Sequence, residues 1–315
     1  MDATVMIAAY NAADQLQRSV ESALVQTGLD VEVVIVDDCS PDPTTAKAAD
    51  LAASDPRIRH DRLIRNKGPA GARNRALELA RGTWVAVLDA DDSMEPGRLA
   101  EMTGFADRVG ADVVLGNFRR VDGDGLAVED APFATGPGFA EPRKWDLARY
   151  IAGNRVRRGE PSLGYLKPVI RRAFLEQHQI RYDEALRNGE DCHLVFRCLV
   201  EGAAVWFHPA PSYLYTVQRG SVSFRVNPDH IDALLAADRR LLAAFGDRIG
   251  GEERALFSER HAALTQLMRS ERALGHLKGG NLAGFAGALA RHPGTIPRVL
   301  RQMLEALGNR LQARS

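Results

Sequence analysis

The chain has 315 residues, 45% hydrophobic and 26% charged, a soluble globular profile that excludes disordered and fibrous classes. Lys plus Arg equals Asp plus Glu at 41 each, so no overall field draws the protein to nucleic acid. Cys39, Cys192 and Cys198 form no C-x-x-C spacing, which indicates a reducing compartment rather than a disulfide frame or a zinc site.

The first third alternates strand and helix. Thr4–Ala8 is a short apolar strand, and the helix expected over Ala13–Gln26 sets Leu16, Val20, Ala23 and Leu24 on one face. Val31–Val36 is a strand that runs into Asp37-Asp38. Past the turn Ser40-Pro41-Asp42-Pro43, a helix is expected over Thr44–Ala53 and a strand over Ile58–Ile64, ending at Asn66-Lys67-Gly68. Pro69 is well placed as the first residue of a helix to Ala80, and Gly82 separates that helix from the next strand.

That strand, Trp84–Leu88, is almost wholly apolar, as a strand covered on both faces is. Three carboxylates, Asp89, Asp91 and Asp92, follow within four positions. Taken alone, the triplet reads equally as a solvated turn or as a cap, by Asp92 or Ser93, of the helix from Pro96 to Val109. An EF-hand is excluded, because Met94 occupies the glycine turn and Ala100 the bidentate glutamate position. Carboxylates this close repel one another unless a cation sits among them. A hard divalent ion sharing its shell with substrate phosphates resolves the conflict.

Topology decides between these readings. Strands alternating with helices imply a parallel sheet with right-handed crossovers, and such sheets bind ligands beyond the carboxyl ends of their strands. Asp37-Asp38, Asn66-Lys67-Gly68 and Asp89-Ala90-Asp91 all stand at those ends, so three polar clusters are expected on one rim.

Farther on, Asp112–Phe118 reads as a strand, Arg119–Val128 as a hairpin turn region and Pro132–Pro142 as a loop. A helix is expected over Lys144–Ala152, then the basic run Arg155-Val156-Arg157-Arg158. Leu166–Ile170 looks extended and Arg172–Gln177 helical. Gly189-Glu190-Asp191 opens a helix whose dipole favours its acidic first turn. Ala204–Phe207 and Tyr213–Val217 are expected as two strands. From Pro228 the chain is helical, broken near Gly250-Gly251, Gly279-Gly280 and Pro293-Gly294.

Six motifs in order carry a resemblance. They are Ala9-Tyr10-Asn11-Ala12 with Ser22–Thr27, Val36–Asp42, Asn66-Lys67-Gly68 with Ala72-Arg73-Asn74, Asp89-Ala90-Asp91-Asp92, Gly189-Glu190-Asp191, and Gly220-Ser221-Val222-Ser223. The chain resembles the family 2 glycosyltransferases. The resemblance implies an α/β GT-A fold, with a Rossmann-like, mostly parallel central sheet flanked by helices, and a catalytic domain over residues 1–225, in which 1–120 bind the nucleotide sugar and 121–225 bind the acceptor. Residues 226–315 lie outside the resemblance and are expected, from their own pattern, as a helical C-terminal extension.

The resemblance also implies roles. Asp38 binds the nucleotide base in a pocket shaped by Ala8 and Tyr10, while Lys67 and Arg73 approach the nucleotide and its phosphates. Asp89, Ala90 and Asp91 form the D-x-D element that contacts ribose and metal, with Asp92 assisting, and Asp191 is the catalytic base. The implied cofactor is Mn2+ or Mg2+. The donor is a nucleoside-diphosphate sugar, UDP-linked in the first instance. The acceptor is a glycan or lipid-linked oligosaccharide hydroxyl, in cell-surface or exopolysaccharide synthesis. Three positions depart from the family pattern. Cys39 replaces the common glycine, which suggests a turn without positive φ. Ala8 replaces a proline or threonine, and Gln218 replaces a histidine that reaches metal or phosphate.

The expected reaction is an inverting single displacement, with Asp191 kept well away from the metal so that the two do not pair. Two other functions are weighed. A sugar nucleotidyltransferase needs a glycine-rich loop near residue 10, which the chain lacks. A non-catalytic nucleotide-sugar-binding or scaffold module needs no base. In the last helix Ile296, Val299, Leu300, Met303, Leu304, Leu307 and Leu311 share a face, and Arg298, Arg301, Arg310 and Arg314 make the rest basic. Such a helix suits an anionic membrane surface, or packing on the catalytic domain or on a second subunit of a homodimer. With no membrane span and no signal peptide at its start, the chain is expected in the cytoplasm, with the inner face of the plasma membrane as its peripheral site.

Overall fold

A computed structural model describes residues 1–156, 162–217 and 227–312, with 305–312 as backbone alone. Arg157, Arg158, Gln218 and the Gly220–Ser223 motif lie outside the described residues, as do the side chains of Leu307, Leu311, Arg310 and Arg314.

The first half follows the expected alternation. Strands β1 (Ala3–Ala9), β2 (Val31–Asp37), β3 (Ile58–Arg62) and β4 (Trp84–Asp89) are all parallel, with β1 between β2 and β4. Every residue of β2 is buried, which is why its sequence shows no polar alternation. Helices α1 (Leu16–Leu24), α2 (Thr44–Ser54) and α3 (Gly68–Leu79) connect them. Gly82 is required where α3 feeds β4, since an added Cβ would lie 2.5 Å from the Thr4 amide nitrogen.

The second half is mixed. After the two-residue β5 (Ser93–Met94) and α4 (Arg98–Val109), β6 (Val113–Val121) does not pair with β4. The short β7 (Arg143–Trp145) and α5 (Leu147–Ala152) come next, and then β8 (Lys167–Arg171) enters antiparallel between β4 and β6. The helices α6 (Arg172–Gln177) and α7 (Glu190–Val200) precede β9 (Val205–Thr216), which pairs parallel with β6 and antiparallel with β5 and β7. The main path runs β3-β2-β1-β4-β8-β6-β9-β5.

Two local expectations fail for identifiable reasons. The helix expected from Lys144 begins only at Leu147, because Asp146 caps it by accepting from the Arg149 amide at 2.7 Å. Before the cap the chain is strand, and the Trp145 ring stacks on Phe207 at 5.0 Å. The two strands expected at 204–207 and 213–217 are one continuous β9. Its register against β6 jumps from Gly116–His208 to Phe118–Tyr213, and that irregularity accommodates Pro209 and Pro211.

Four α-helices follow among the described residues, with breaks where the glycines and Pro293 predict them: α8 (Pro228–Phe245), α9 (Gly251–Lys278), α10 (Leu282–Arg291) and α11 (Ile296–Gln312). Leu241, Ile249 and Phe257 join the core of the sheet. On α11, Val299 is buried against Ala273 and Leu274, while Leu300 and Leu304 are 55% and 68% exposed. None of the described helices is long and apolar enough to cross a membrane.

The extension grips α7 through one buried carboxylate. Asp238 on α8 is fully buried and accepts from Arg260 Nε on α9 at 2.9 Å. His193 Nε2 on α7 lies 3.0 Å away and His261 Nε2 3.3 Å away. Burial opposes the charge of Asp238, yet Arg260 and the imidazoles hold it far below the usual carboxylate range. A depressed pKa means the contribution is present above the unfolded value of 3.8 and fades as pH falls below it. Asp238→Ala, which strands Arg260 without its partner, should cost about 3–5 kcal/mol near neutral pH. Urea unfolding monitored by circular dichroism measures this, and a loss below about 1 kcal/mol would contradict the gripping role.

Candidate active site

A pocket of about 280 Å³ opens beyond the ends of β1 and β2, lined by Ala8, Ala9, Tyr10, Asp38, Asn66, Gly68, Pro69 and Arg187. The neighbouring aspartates there have different tasks. Asp37 is fully buried and closes its own turn, accepting from the Ser40 amide at 3.1 Å and pairing with Arg62 at 3.3 Å. Asp38 accepts from the Lys67 and Gly68 amides, at 2.6 and 2.7 Å, where α3 begins. Burial raises its pKa against those bonds.

Cys39 corrects an expectation, since its φ is +60°, the left-handed region that glycine ordinarily supplies. The turn keeps the conformation that a glycine allows although the residue is cysteine. Tyr10 is half exposed at the pocket. The Lys67 side chain pairs with Glu184 at 3.3 Å, away from Asp38. Arg187 lies over Gly68, where a Cβ would meet its Nη1 at 2.6 Å, and donates to Asn66 Oδ1.

The acidic turn after β4 is held from several directions. Ser19 Oγ on α1 lies 2.8 Å from the Ala90 carbonyl and 2.6 Å from that of Asp92. Arg18 donates to the Asp91 carbonyl and to Thr216 Oγ1, both at 2.8 Å. Asp92 is buried, accepting from the Tyr213 hydroxyl and the Thr216 amide, each at 2.7 Å. Asp89 receives Arg73 Nη2 on one oxygen at 2.6 Å and Lys167 Nζ on the other at 2.5 Å. Burial alone would raise the Asp89 pKa, but those two cations bring it down to about 2. Ala90 is buried, and its role in the turn is to supply that carbonyl.

Asp191 reaches the same rim from α7. Gly189 precedes the helix at φ +78°, with an added Cβ only 2.8 Å from Leu234 Cδ2, so glycine is needed there. Arg73 pairs with Glu190 and stands 3.4 Å from Asp191 Oδ1, and Lys167 Nζ is 3.8 Å from Asp191 Oδ2. Among the described residues Asp191 Oδ1 is buried with no well-formed hydrogen bond, and the neighbour placed to offer one is the Tyr182 hydroxyl. Burial and then the Asp191 charge raise the nearby Tyr182 hydroxyl well above its usual pKa. Residues distant in sequence thus meet on two cations, Arg73 and Lys167.

The sequence profile described as "Glycosyl transferase family 2" matches residues 4–165. The chain belongs to glycosyl transferase family 2. It is 44% identical over 247 residues to "Succinoglycan biosynthesis protein ExoO" of Rhizobium meliloti (strain 1021), covering 78% of this chain and 69% of that protein. Among solved structures, S. aureus TarS 1–349 in complex with UDP-GlcNAc superposes with a TM-score of 0.62 at 19% identity, over 93% of this chain and 92% of that one. The mannosyltransferase PcManGT from Pyrobaculum calidifontis, in complex with GDP-Man and Mn2+, gives 0.55 at 19% identity, over 96% and 84%. These likenesses establish the expected GT-A type of α/β fold for this family 2 transferase.

Five residues of this family 2 site escaped the sequence reading: Lys167, Arg187, Arg18, Ser19 and Tyr213. For Lys167 a signal existed, since a lysine opening an apolar strand is rarely buried without a partner. The others are ordinary surface-type residues until the fold sets them against the rim.

The donor atoms fit a hard cation at one carboxylate. Both oxygens of Asp89 and both of Asp92 already accept from the protein, whereas the Asp91 carboxylate takes no hydrogen bond or ion pair from another described residue. Burial first, and the Asp89 charge second, raise the Asp91 pKa. No set of three or more His, Cys, Asp or Glu side chains is arranged for a metal among the described residues. One carboxylate plus a substrate diphosphate matches how Mg2+ is commonly held.

A raised carboxyl pKa means the folded state binds its proton more tightly, so this contribution to stability falls as pH climbs from 3.8. Asp91→Asn removes that cost and should raise Tm near neutral pH without metal. The same variant should lose most of any Tm gain that Mn2+ with nucleoside diphosphate gives the parent. Differential scanning fluorimetry reads both effects, and a lower Tm in the metal-free variant would contradict the repulsion.

Proposed function

We propose that this family 2 glycosyltransferase moves a sugar, with inversion, from a nucleoside-diphosphate sugar to a hydroxyl of a glycan or lipid-linked oligosaccharide. A UDP-sugar is the donor and polysaccharide synthesis the setting. The observation that carries this reading is the meeting of Asp89 and Asp191 on Arg73 and Lys167. That meeting supports a reading in which the donor end and the base share one cleft. The ExoO relative is a succinoglycan biosynthesis protein, and the TarS neighbour is recorded with UDP-GlcNAc, which agrees with both halves of the reading.

In this mechanism the pocket of Ala8, Tyr10 and Asp38 takes the base. The α3 segment of Lys67 and Arg73 lies along the nucleotide, with Asp89 and Ala90 shaping the ribose side. Asp191 accepts the proton of the acceptor hydroxyl, whose oxygen forms the new bond to the anomeric carbon. The bond to the diphosphate breaks on the opposite face and its electron pair leaves with the phosphate, so configuration inverts. Asp91 would hold Mn2+ or Mg2+, with Asp89 and Asp92 keeping the turn in shape. When bound, that ion supplies positive charge against the charge developing on the diphosphate. PcManGT, recorded with GDP-Man and Mn2+, supports a divalent ion at such a site.

Residues 1–120 carry the donor side in this reading and 121–225 the acceptor side, with 226–315 as the helical extension. Leu300 and Leu304 stay exposed beside Arg301 after Val299 has packed, which supports peripheral contact with an anionic membrane surface bearing a lipid-linked acceptor. A non-catalytic binding module would have no use for a buried carboxylate oxygen that, among the described residues, is held by ion pairing rather than by a well-formed hydrogen bond.

Asp191→Asn should bind the donor with parent-like affinity and lose turnover by about 10²–10⁴-fold. Calorimetry and single-turnover transfer measure the two effects, and near-normal transfer by that variant would remove Asp191 from the role. Chelation should abolish transfer and added Mn2+ or Mg2+ restore it; undiminished transfer in chelator would remove the metal.

A further inference from the structure

The antiparallel entry of β8 brings to the catalytic rim the beginning of a strand, where a parallel neighbour would bring its end. Trp84 faces Arg171 and Ala86 faces Val169, so two places on, Lys167 stands opposite Leu88, next to Asp89. Lys167 is buried, and its carbonyl accepts from Arg98 Nη2 at 3.1 Å, which fixes the base of the side chain. Its ammonium is 5.7 Å from the centre of the Tyr213 ring, on the ring whose hydroxyl locks Asp92.

From there Lys167 treats two carboxylates differently. It donates to Asp89 Oδ2 at 2.5 Å but stays 3.8 Å from Asp191 Oδ2, too far for a hydrogen bond. Arg73 repeats the pattern, hydrogen-bonded to Asp89 and Glu190 while 3.4 Å from Asp191 Oδ1, so among the described residues neither cation hydrogen-bonds Asp191 and the Tyr182 hydroxyl is the one neighbouring donor. A carboxylate that must accept a proton has to be anchored without having its lone pairs filled. Charge at this separation anchors it, whereas a hydrogen bond would occupy it.

We propose that Lys167 is a positioning residue of the transfer reaction, fixing Asp89 by a hydrogen bond and holding Asp191 by charge alone, so that the base keeps its lone pairs for the acceptor hydroxyl. The proposal rests on the assignment of Asp191 as base, and it adds a residue that none of the recognised motifs contains. Arg73 cannot take over the task, because Glu190 already engages it.

Lys167→Gln keeps a donor for Asp89 and removes the charge, while Lys167→Arg keeps the charge. The Gln variant should lose kcat by about 10–100-fold with donor KM within about threefold of the parent, because a misplaced base slows the reacting step rather than binding. The Arg variant should recover most of that loss. A Gln variant that turns over within about threefold of the parent, or a folded Arg variant as slow as the Gln variant, would overturn the proposal. If the Gln variant fails to melt cooperatively, the Arg variant decides alone: folded and near parent turnover supports the role, folded and slow refutes it. Parent protein without transfer would refute the reaction itself, whereas an active parent with an unimpaired Gln variant refutes only Lys167.

Discussion

Three carboxylates, Asp89, Glu190 and Asp191, share one buried rim because two cations, Arg73 and Lys167, stand among them. Burial works against the charge on both cations, and the carboxylates around them more than reverse it. Removing any one member would leave an uncompensated charge in a water-poor place, the costly case for buried ions. The members come from α3, β4, β8 and α7, so the ionic frame ties the parallel half of the sheet to the mixed half. The Asp89 turn and the start of α7 therefore have one geometry between them.

Around this frame, adjacent aspartates diverge through their partners rather than their type. Asp37 is consumed by its turn while Asp38 lines the pocket with two amides behind it. Asp89 is neutralised by cations, Asp92 is locked by Tyr213 and Thr216, and Asp91 between them takes no hydrogen bond or ion pair from another described residue and stands beside a like charge. A residue kept in an unfavourable electrostatic state is often a trade of stability against activity.

The C-terminal helices are continuous with this machinery. Phe257 of α9 belongs to the sheet's core, and Asp238 of α8 draws together Arg260, His261 and His193, the last two positions beyond Asp191 on α7. The helix that presents Asp191 is thus held from behind by the extension. Asn154 adds to the hold, its carbonyl accepting from Arg260.

Apolar runs and glycine-proline breaks were enough to read the parallel half of the sheet and the C-terminal helix boundaries, and six ordered motifs carried the resemblance to the family. Asp38, Asp89 and Asp91 stood out as polar residues at the ends of apolar strands, whereas Asp191, at a helix start, was singled out only by the family resemblance. Tertiary structure alone decided which oxygens are free. Lys167 reaches Asp89 only through the antiparallel entry of β8, a pairing with no local signature in residues 166–171. The positive φ at Cys39 and the continuity of β9 through two prolines likewise depend on neighbours rather than on local preference. Periodicity records which side of an element is buried, whereas hydrogen-bond partners and ion pairs are set by residues far along the chain.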